Sequence, residues 1–76
     1  MPHSKRIEEQ LKRFGANLRR ERSSRGITQE KLAELVDMHT NFIGEVERGN
    51  MECSLTSLVK IANVLKTRVR NLVWHI

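Results

Sequence analysis

Apolar residues recur along the chain at helical intervals, in five segments separated by short polar or glycine-containing connections. The first segment has four apolar residues at spacings of four, three and four: Ile7, Leu11, Phe14 and Leu18. Such spacing places side chains on one stripe of a helix, and Arg22 continues that stripe. We therefore predict a first helix over about residues 5–25, ended by Gly26 in the left-handed conformation.

Two shorter helical patterns follow with almost no connection between them. Thr28 is a suitable N-cap for a helix over about residues 29–36. The buried face predicted for this helix contains four apolar residues: Leu32, Ala33, Leu35 and Val36. A third helix is predicted over about residues 40–48, with Ile43 and Val46 facing inward.

The C-terminal third of the chain predicts two more helices. Ser54 is placed to cap a fourth helix with five apolar positions: Leu55, Leu58, Ile61, Ala62 and Leu65. Thr67 is placed to cap a short fifth helix with three apolar positions: Val69, Leu72 and Val73. Residues 1–4 are polar and contain the only proline, so we expect a disordered N-terminus followed by one domain over residues 5–76.

Composition agrees with one small all-α domain, because the 76 residues are 38% hydrophobic and include only three aromatic side chains. No apolar run approaches the roughly 20 residues that cross a bilayer, so we expect a cytoplasmic protein without a membrane partner. Cys53 is the only cysteine and the histidines are scattered singly, which disfavours a disulfide or a metal site. No acid–base pair is recognisable, so we expect neither enzymatic activity nor a cofactor or small-molecule ligand.

Charge changes the picture, because the formal net charge is +5 and is unevenly distributed. Residues 5–25 carry eight Lys or Arg against three Glu, and residues 53–76 carry four against no acid. Residues 26–52, between them, carry two basic residues against six acidic ones. The basic flanks favour a polyanionic partner such as nucleic acid, since cations that neutralise phosphates release condensed counterions.

The second and third helices are joined by only Asp37-Met38-His39, and Asp is one of the few residues that adopt the left-handed conformation readily. So short a connection requires the third helix to pack across the second. Two short helices joined in this way form the arrangement whose second helix can enter the roughly 12 Å wide major groove of B-DNA.

Two stretches carry a family resemblance: ITQEKLAE at residues 27–34 and IGEVERG at residues 43–49. They resemble the Cro/C1-type (XRE) helix-turn-helix family over about residues 12–74. Within that family, the short chain, the Glu-Arg-Gly sequence and Phe42 are most similar to the controller proteins of restriction-modification systems. The resemblance implies a compact, five-helix, lambda-repressor-like domain with its helix-turn-helix at about residues 28–48, in a bacterial or phage transcription regulator.

The same resemblance implies which side chains read DNA bases: Thr40, Asn41 and Glu45, with His39 and Phe42 beside them. Chemistry supports three of these roles, because Asn pairs with adenine, Thr offers a hydroxyl and a methyl group, and Glu accepts from the N4 amine of cytosine. The alternative is that these residues are simply the polar face of a solvated helix.

Phosphate contacts are expected at two helix starts, because backbone N–H groups at a helix N-terminus bind anions. The resemblance implies a further phosphate contact just after the third helix. The residues concerned are Thr28, Gln29, Arg48, Ser54, Thr56 and Ser57. Thr28 and Ser54 could also be ordinary N-caps, and Arg48 a solvated surface residue.

The resemblance further implies an ion pair between Arg22 and Glu47 that fixes the recognition helix against the first helix. Three departures from the family pattern stand out: Asp37 replaces a usual turn glycine, Gly44 lies within the recognition helix, and residues 51–53 replace a loop that is often basic. The last departure weakens the expectation of loop-to-phosphate contacts.

A single recognition helix contacts too few base pairs to specify a genomic site, so we expect a homodimer on a palindromic operator. The dimer contact is predicted from apolar residues near the C-terminus: Val64, Val69, Leu72, Trp74 and Ile76. Alternatively, Trp74 closes the core of the monomer. The function could also be that of an antitoxin-type autoregulator, or of a helix-turn-helix domain that binds only proteins.

Overall fold

The computed structural model describes residues 4–76, which form five helices. They are α1 (Lys5–Ser23), α2 (Gln29–Val36), α3 (Thr40–Glu47), α4 (Leu55–Leu65) and α5 (Val69–Leu72). The described residues contain no strand, and the all-α, five-helix prediction is confirmed. Within the same residues, no helix has the length and apolar character that crossing a bilayer requires.

Three of the helices begin at a serine or threonine whose hydroxyl oxygen accepts a backbone N–H of the first turn. Thr28 caps α2 and Ser54 caps α4, as predicted. Ser4 caps α1, its Oγ accepting from the backbone N of Ile7 at 3.2 Å. The prediction that residues 1–4 are disordered is therefore wrong for Ser4, and residues 1–3 lie outside the described part.

The connections between helices use left-handed residues. Gly26 has φ 68° and follows α1, which ends two residues earlier than predicted. Asp37 has φ 57° and allows the backbone N–H of Met38 to reach the carbonyl of Ala33 at 2.8 Å. The predicted conformation of Asp37 is confirmed, and it turns the chain from α2 into α3 within three residues.

The core combines side chains from all five helices. Its buried apolar residues are Phe14, Leu18, Leu32, Ala33, Val36, Ile43, Val46, Ile61, Ala62, Leu65 and Leu72. Three residues predicted on buried faces are instead exposed: Ile7 by 43%, Leu35 by 47% and Leu55 by 73%. Ile7 and Leu55 lie in the first turns of their helices. Around the axis of α2, Leu35 and the buried Ala33 lie on opposite sides of Leu32.

The N-cap of helix α5 lies one residue later than predicted. Arg68 is its N-cap, without a side-chain cap hydrogen bond. Thr67 instead donates its hydroxyl to Oε1 of Glu21 at 2.8 Å and accepts from Nδ2 of Asn71 at 2.9 Å. The hydroxyl therefore joins α5 to α1, and the prediction that Thr67 caps α5 is wrong.

The C-terminal residues are held against α1 by hydrogen bonds to their backbone carbonyls. Asn17, a buried polar residue, donates from Nδ2 to the carbonyls of Leu72 at 3.0 Å and Trp74 at 2.8 Å. The Leu72 side chain is fully buried in the monomer, so its predicted role in a dimer contact is wrong. Trp74 is 56% exposed and lies beside Arg20, so it does not close the monomer core.

Candidate DNA interface

The exposed side of α3 is the surface on which the predicted base-reading residues lie. Ile43, Gly44 and Val46 are buried, which turns the other side of the helix outward. Asn41 and Glu45, four residues apart, share that outward face, with Asn41 exposed and Glu45 half-buried. The structure therefore brings together the two side chains with the most specific base-reading chemistry.

The remaining predicted base readers differ in their surroundings. His39 is the N-cap of α3, and its Nδ1 accepts from the backbone N–H of Asn41 at 3.1 Å. With Nδ1 acting as acceptor, the neutral ring carries its proton on Nε2, which is left as a donor. Thr40 is half-buried, and Phe42 is half-buried against the core.

Helix α3 is tied to the rest of the domain by the expected ion pair. Nε and Nη2 of Arg22 donate to the two carboxylate oxygens of Glu47 at 2.6 and 3.0 Å, with only 3% of the Glu47 side chain exposed. Nη1 of Arg22 also donates to the carbonyl of Ile27 at 2.7 Å. Hydrogen bonding to Glu47 raises the pKa of Arg22, so the guanidinium group stays charged.

Helix α2 joins the same cluster through Gln29. Its Nε2 donates to Oε1 of Glu47 at 2.9 Å, so one carboxylate links α1, α2 and α3. One N–H of the Gln29 amide is thereby used within the protein. A phosphate contact by Gln29 can use the second amide N–H or the backbone N–H at the first position of α2.

Two glycines allow α1 to approach the end of α3 at backbone distance. A Cβ built on Gly15 would lie 2.4 Å from the carbonyl oxygen of Glu47 and 2.5 Å from that of Val46. Gly49 has φ 80°, and a Cβ there would lie 2.8 Å from Cα of Lys12. No other residue fits either position without moving the backbone, so α1 fixes where α3 ends.

Glu45 is held by two neighbouring side chains. Its Oε1 accepts a short hydrogen bond from Nη2 of Arg48, and its Oε2 accepts from Nδ2 of Asn50 at 3.1 Å. The hydrogen bond from Arg48, and then that from Asn50, lowers the pKa of Glu45. Arg48 is thus directed along α3 toward Glu45, although its side chain is still 58% exposed.

The other predicted phosphate contacts lie at helix starts. The hydroxyl of Thr28 accepts from the backbone N–H of Lys31 at 3.0 Å. Ser54 Oγ accepts from the backbone N–H of Ser57 at 3.0 Å and donates to Oγ of Ser57 at 2.9 Å, while Thr56 is exposed. These hydroxyls act as caps, and the remaining N–H groups of the two first turns are the available anion donors.

Sequence reasoning missed Gly15, Gly49 and Asn50 as residues that shape this surface. A glycine within the apolar pattern of α1 was the one available signal for Gly15, because glycine is unfavourable inside a helix unless something approaches closely. Asn50 gave no signal, since its contact depends on how the chain turns after α3.

This arrangement of α2 and α3 defines a helix-turn-helix DNA-binding domain. The sequence pattern of the helix-turn-helix family matches residues 18–72, and the chain belongs to that family. The resemblance seen in residues 27–34 and 43–49 is thereby confirmed, and the family consists of DNA-binding regulators, not enzymes.

Similar proteins of known role include two control proteins. The chain is 38% identical over 56 residues to Control protein C.SmaI of Serratia marcescens, covering 74% of this chain and 67% of that protein. It is 37% identical over 60 residues to Control protein C.BamHI of Bacillus amyloliquefaciens, covering 78% of this chain and 74% of that protein.

Two solved structures share the fold closely. The restriction-modification controller protein C.AhdI from Aeromonas hydrophila has a TM-score of 0.79 and 39% identity, covering 82% of this chain and 94% of that one. The clp gene regulator ClgR from Corynebacterium glutamicum has a TM-score of 0.80 and 30% identity, covering 83% of this chain and 81% of that one.

Proposed function

We propose that this protein is a restriction-modification controller that binds a palindromic operator as a homodimer. We further propose that it acts in the bacterial cytoplasm and is encoded by a bacterium or a phage. The observation that carries the proposal is that Asn41 and Glu45 share the outward face of a helix anchored by Glu47. The similarity to C.SmaI, C.BamHI and C.AhdI supports the controller role.

Base reading by α3 follows from the chemistry of its outward side chains. Asn41 can donate to N7 and accept from N6 of adenine, and Glu45 can accept from N4 of cytosine. Thr40 and Nε2 of His39 supply further hydrogen-bonding groups at the start of the helix. Each good bidentate pair discriminates by about 1–3 kcal/mol, so this short helix can specify a half-site.

Phosphates are expected to flank the half-site at the starts of α2 and α4. The N–H groups following Thr28 and Ser54 point out of helix N-termini, where the helix dipole favours an anion. Arg48 can donate to a phosphate through the N–H groups that its bond to Glu45 does not use. The formal net charge of the whole chain is +5, which favours the approach of the protein to DNA.

The dimer contact is expected on the apolar C-terminal surface. Trp74 is 56% exposed and Ile76 is 39% exposed, while Val64 and Val69 are half-buried. Asn17 holds this segment in a fixed conformation through two carbonyls, which lowers the entropy that association would otherwise have to overcome. A two-fold dimer would place two α3 helices in successive major grooves, about 34 Å apart.

A salt-titrated binding experiment tests the proposal. A controller should bind one inverted-repeat duplex at least about 1,000-fold more tightly than random DNA, and log K should fall with log salt by roughly 0.9 per phosphate contacted. Sedimentation should show a dimer at tens of micromolar, and Trp74→Ala should shift it toward the monomer. Equal, weak binding to all duplexes would contradict the proposal and favour a domain that binds only proteins.

A further inference from the structure

Glu45 is the one acidic side chain on the proposed base-reading face, and two residues outside that face hold its carboxylate. We infer that Asn50, together with Arg48, is a positioning residue that makes Glu45 select, on the strand that it faces, cytosine or adenine over guanine or thymine, because only the first two present an exocyclic amine in the major groove. This inference rests on the proposed function, because it names what one position of the recognition helix selects.

The position of Asn50 is fixed by the turn that ends α3. The backbone N–H of Asn50 donates to the carbonyl of Glu45 at 2.9 Å, and that of Gly49 donates to Val46 at 3.0 Å. These two bonds, with Gly49 left-handed, form a Schellman cap. The cap brings the side chain of Asn50 back over the last turn, where Nδ2 reaches Oε2 of Glu45 at 3.1 Å.

Arg48 reaches Glu45 from the other side because Gly44 leaves room. A Cβ built on Gly44 would lie 3.3 Å from both Nη1 and Nη2 of Arg48 and 3.5 Å from Oε1 of Gln29. Any larger residue would press on the guanidinium group. Gly44, which lowers helix propensity in the middle of α3, therefore leaves space for the guanidinium group of Arg48 close to the helix.

The chemistry of the held carboxylate determines what it accepts. An ionised carboxylate is an acceptor only, and each of its oxygens keeps a lone pair after accepting one hydrogen bond. In the major groove, cytosine N4 and adenine N6 are donors, whereas guanine O6 and N7 and thymine O4 are acceptors. Glu45 is therefore attracted to an amine and repelled by the other edges. Cytosine is the expected choice, because its amine is not accompanied by an acceptor on the same base.

The contacts that hold the Glu45 carboxylate also reduce its electrostatic repulsion from the DNA phosphates. The charge of Arg48 offsets that of Glu45, so the pair adds no net repulsion from phosphates. A side chain held by two hydrogen bonds loses less rotamer freedom when it meets a base. Selection at this base pair then depends on Asn50 although Asn50 itself need not touch DNA.

The test is a competition experiment with the full-length protein and the duplex that the wild type enriches from a random pool. Each base pair of one half-site is replaced in turn by the other three, and relative affinities are measured for wild type, Glu45→Gln and Asn50→Ala. Asn63→Ala is the matched control, because Asn63 is exposed near the C-terminal end of α4. Thermal unfolding of each variant shows whether the fold is intact.

We expect wild type to prefer cytosine or adenine over guanine or thymine at one position of one strand, and Asn50→Ala to reduce that preference by roughly three- to tenfold, the size of one charge-assisted or neutral hydrogen bond. Other positions should be unaffected, and Asn63→Ala should match wild type throughout. In a Glu45→Gln background, Asn50→Ala should have no further effect at that position, since the two residues act as one unit.

Three results would overturn the inference. An unchanged base preference in Asn50→Ala would show that Asn50 does not position Glu45. An equal loss of affinity for every duplex would show that Asn50 contacts the DNA backbone instead. A wild-type protein that enriches no duplex would overturn the proposed function itself, and the inference with it.

Discussion

Gly15 and Glu47 bring α1 and α3 into backbone contact, because a Cβ at Gly15 would lie 2.4 Å from the carbonyl oxygen of Glu47. The same residue, Glu47, also accepts hydrogen bonds from Arg22 of α1 and Gln29 of α2. The end of the recognition helix is therefore fixed by both its backbone and its side chain.

Gly15→Ala should destabilise the domain despite improving helix propensity. Alanine is favoured over glycine in a helix by about 1 kcal/mol, but overpacking a tight site costs about 1–3 kcal/mol. The contacted atoms are backbone and cannot rotate away, so the cost should exceed the gain, with a net loss of up to about 2 kcal/mol in the free energy of unfolding. Chemical denaturation measures it.

Ala16→Gly is the control for that experiment, since Ala16 is the exposed neighbour of Gly15 on the same helix. It should cost about 1 kcal/mol through propensity alone. If Gly15→Ala were instead stabilising by the same amount, the close approach of α1 to α3 would be refuted.

Arg22→Ala should destabilise the domain by about 3–5 kcal/mol, because it leaves the Glu47 carboxylate buried without its charged partner. Replacing both residues, as Arg22→Met with Glu47→Leu, should recover much of the loss. Arg25→Ala removes a more exposed ion pair with Glu21, 3.2 Å long, and should cost about 1 kcal/mol or less. Equal losses for Arg22→Ala and Arg25→Ala would argue against a special role for the α1–α3 pair.

The ion pair of Glu45 should persist as the pH falls below the ordinary pKa of glutamate, 4.5, because hydrogen bonds from Arg48 and Asn50 lower the pKa of Glu45. A folded-state pKa below the unfolded one means that the interaction is present at neutral pH and is lost only on acidification. An NMR titration of the Glu45 carboxyl carbon checks this. Arg48→Ala should move its midpoint upward, toward 4.5.

Asn17→Ala should loosen the C-terminal segment. The substitution removes the donor to two carbonyls, at 3.0 and 2.8 Å, and should cost about 1–3 kcal/mol of stability. If the C-terminal surface forms the dimer, the dissociation constant should rise as well, whereas Trp74→Ala should weaken the dimer with little loss of monomer stability. Sedimentation measures the loss of dimer and thermal unfolding measures the loss of stability. An Asn17→Ala protein as stable as wild type would contradict the role of Asn17 in holding the C-terminal segment.

Most of the fold could be predicted from the sequence because its signals are local. Thr28, Ser54 and Asp37 each determine a helix boundary through their own hydrogen bonds or dihedral angles, and the periodic apolar residues locate the helices. Periodicity could not distinguish Leu72, which is fully buried, from the exposed Trp74 two residues later. That difference depends on how Asn17 holds the chain after α5.

The candidate site was predictable only in part for a related reason. Asn41 and Glu45 share a face because they are four residues apart, which the sequence alone determines. Asn50 meets Glu45 only because Gly49 turns the chain back, and Gly15 meets Glu47 only after α1 and α3 pack. Contacts of this kind depend on tertiary structure, and no spacing in the sequence reports them.

Base reading by the outward face of α3 is tested most directly by selecting bound duplexes from a random pool with the wild type, Asn41→Ala and Glu45→Ala. The wild type should enrich an inverted repeat. Each variant should still bind it but lose preference at its own position, an adenine for Asn41 and a cytosine for Glu45, by about 1–3 kcal/mol. Enrichment of an identical sequence by all three proteins would contradict base reading by these residues.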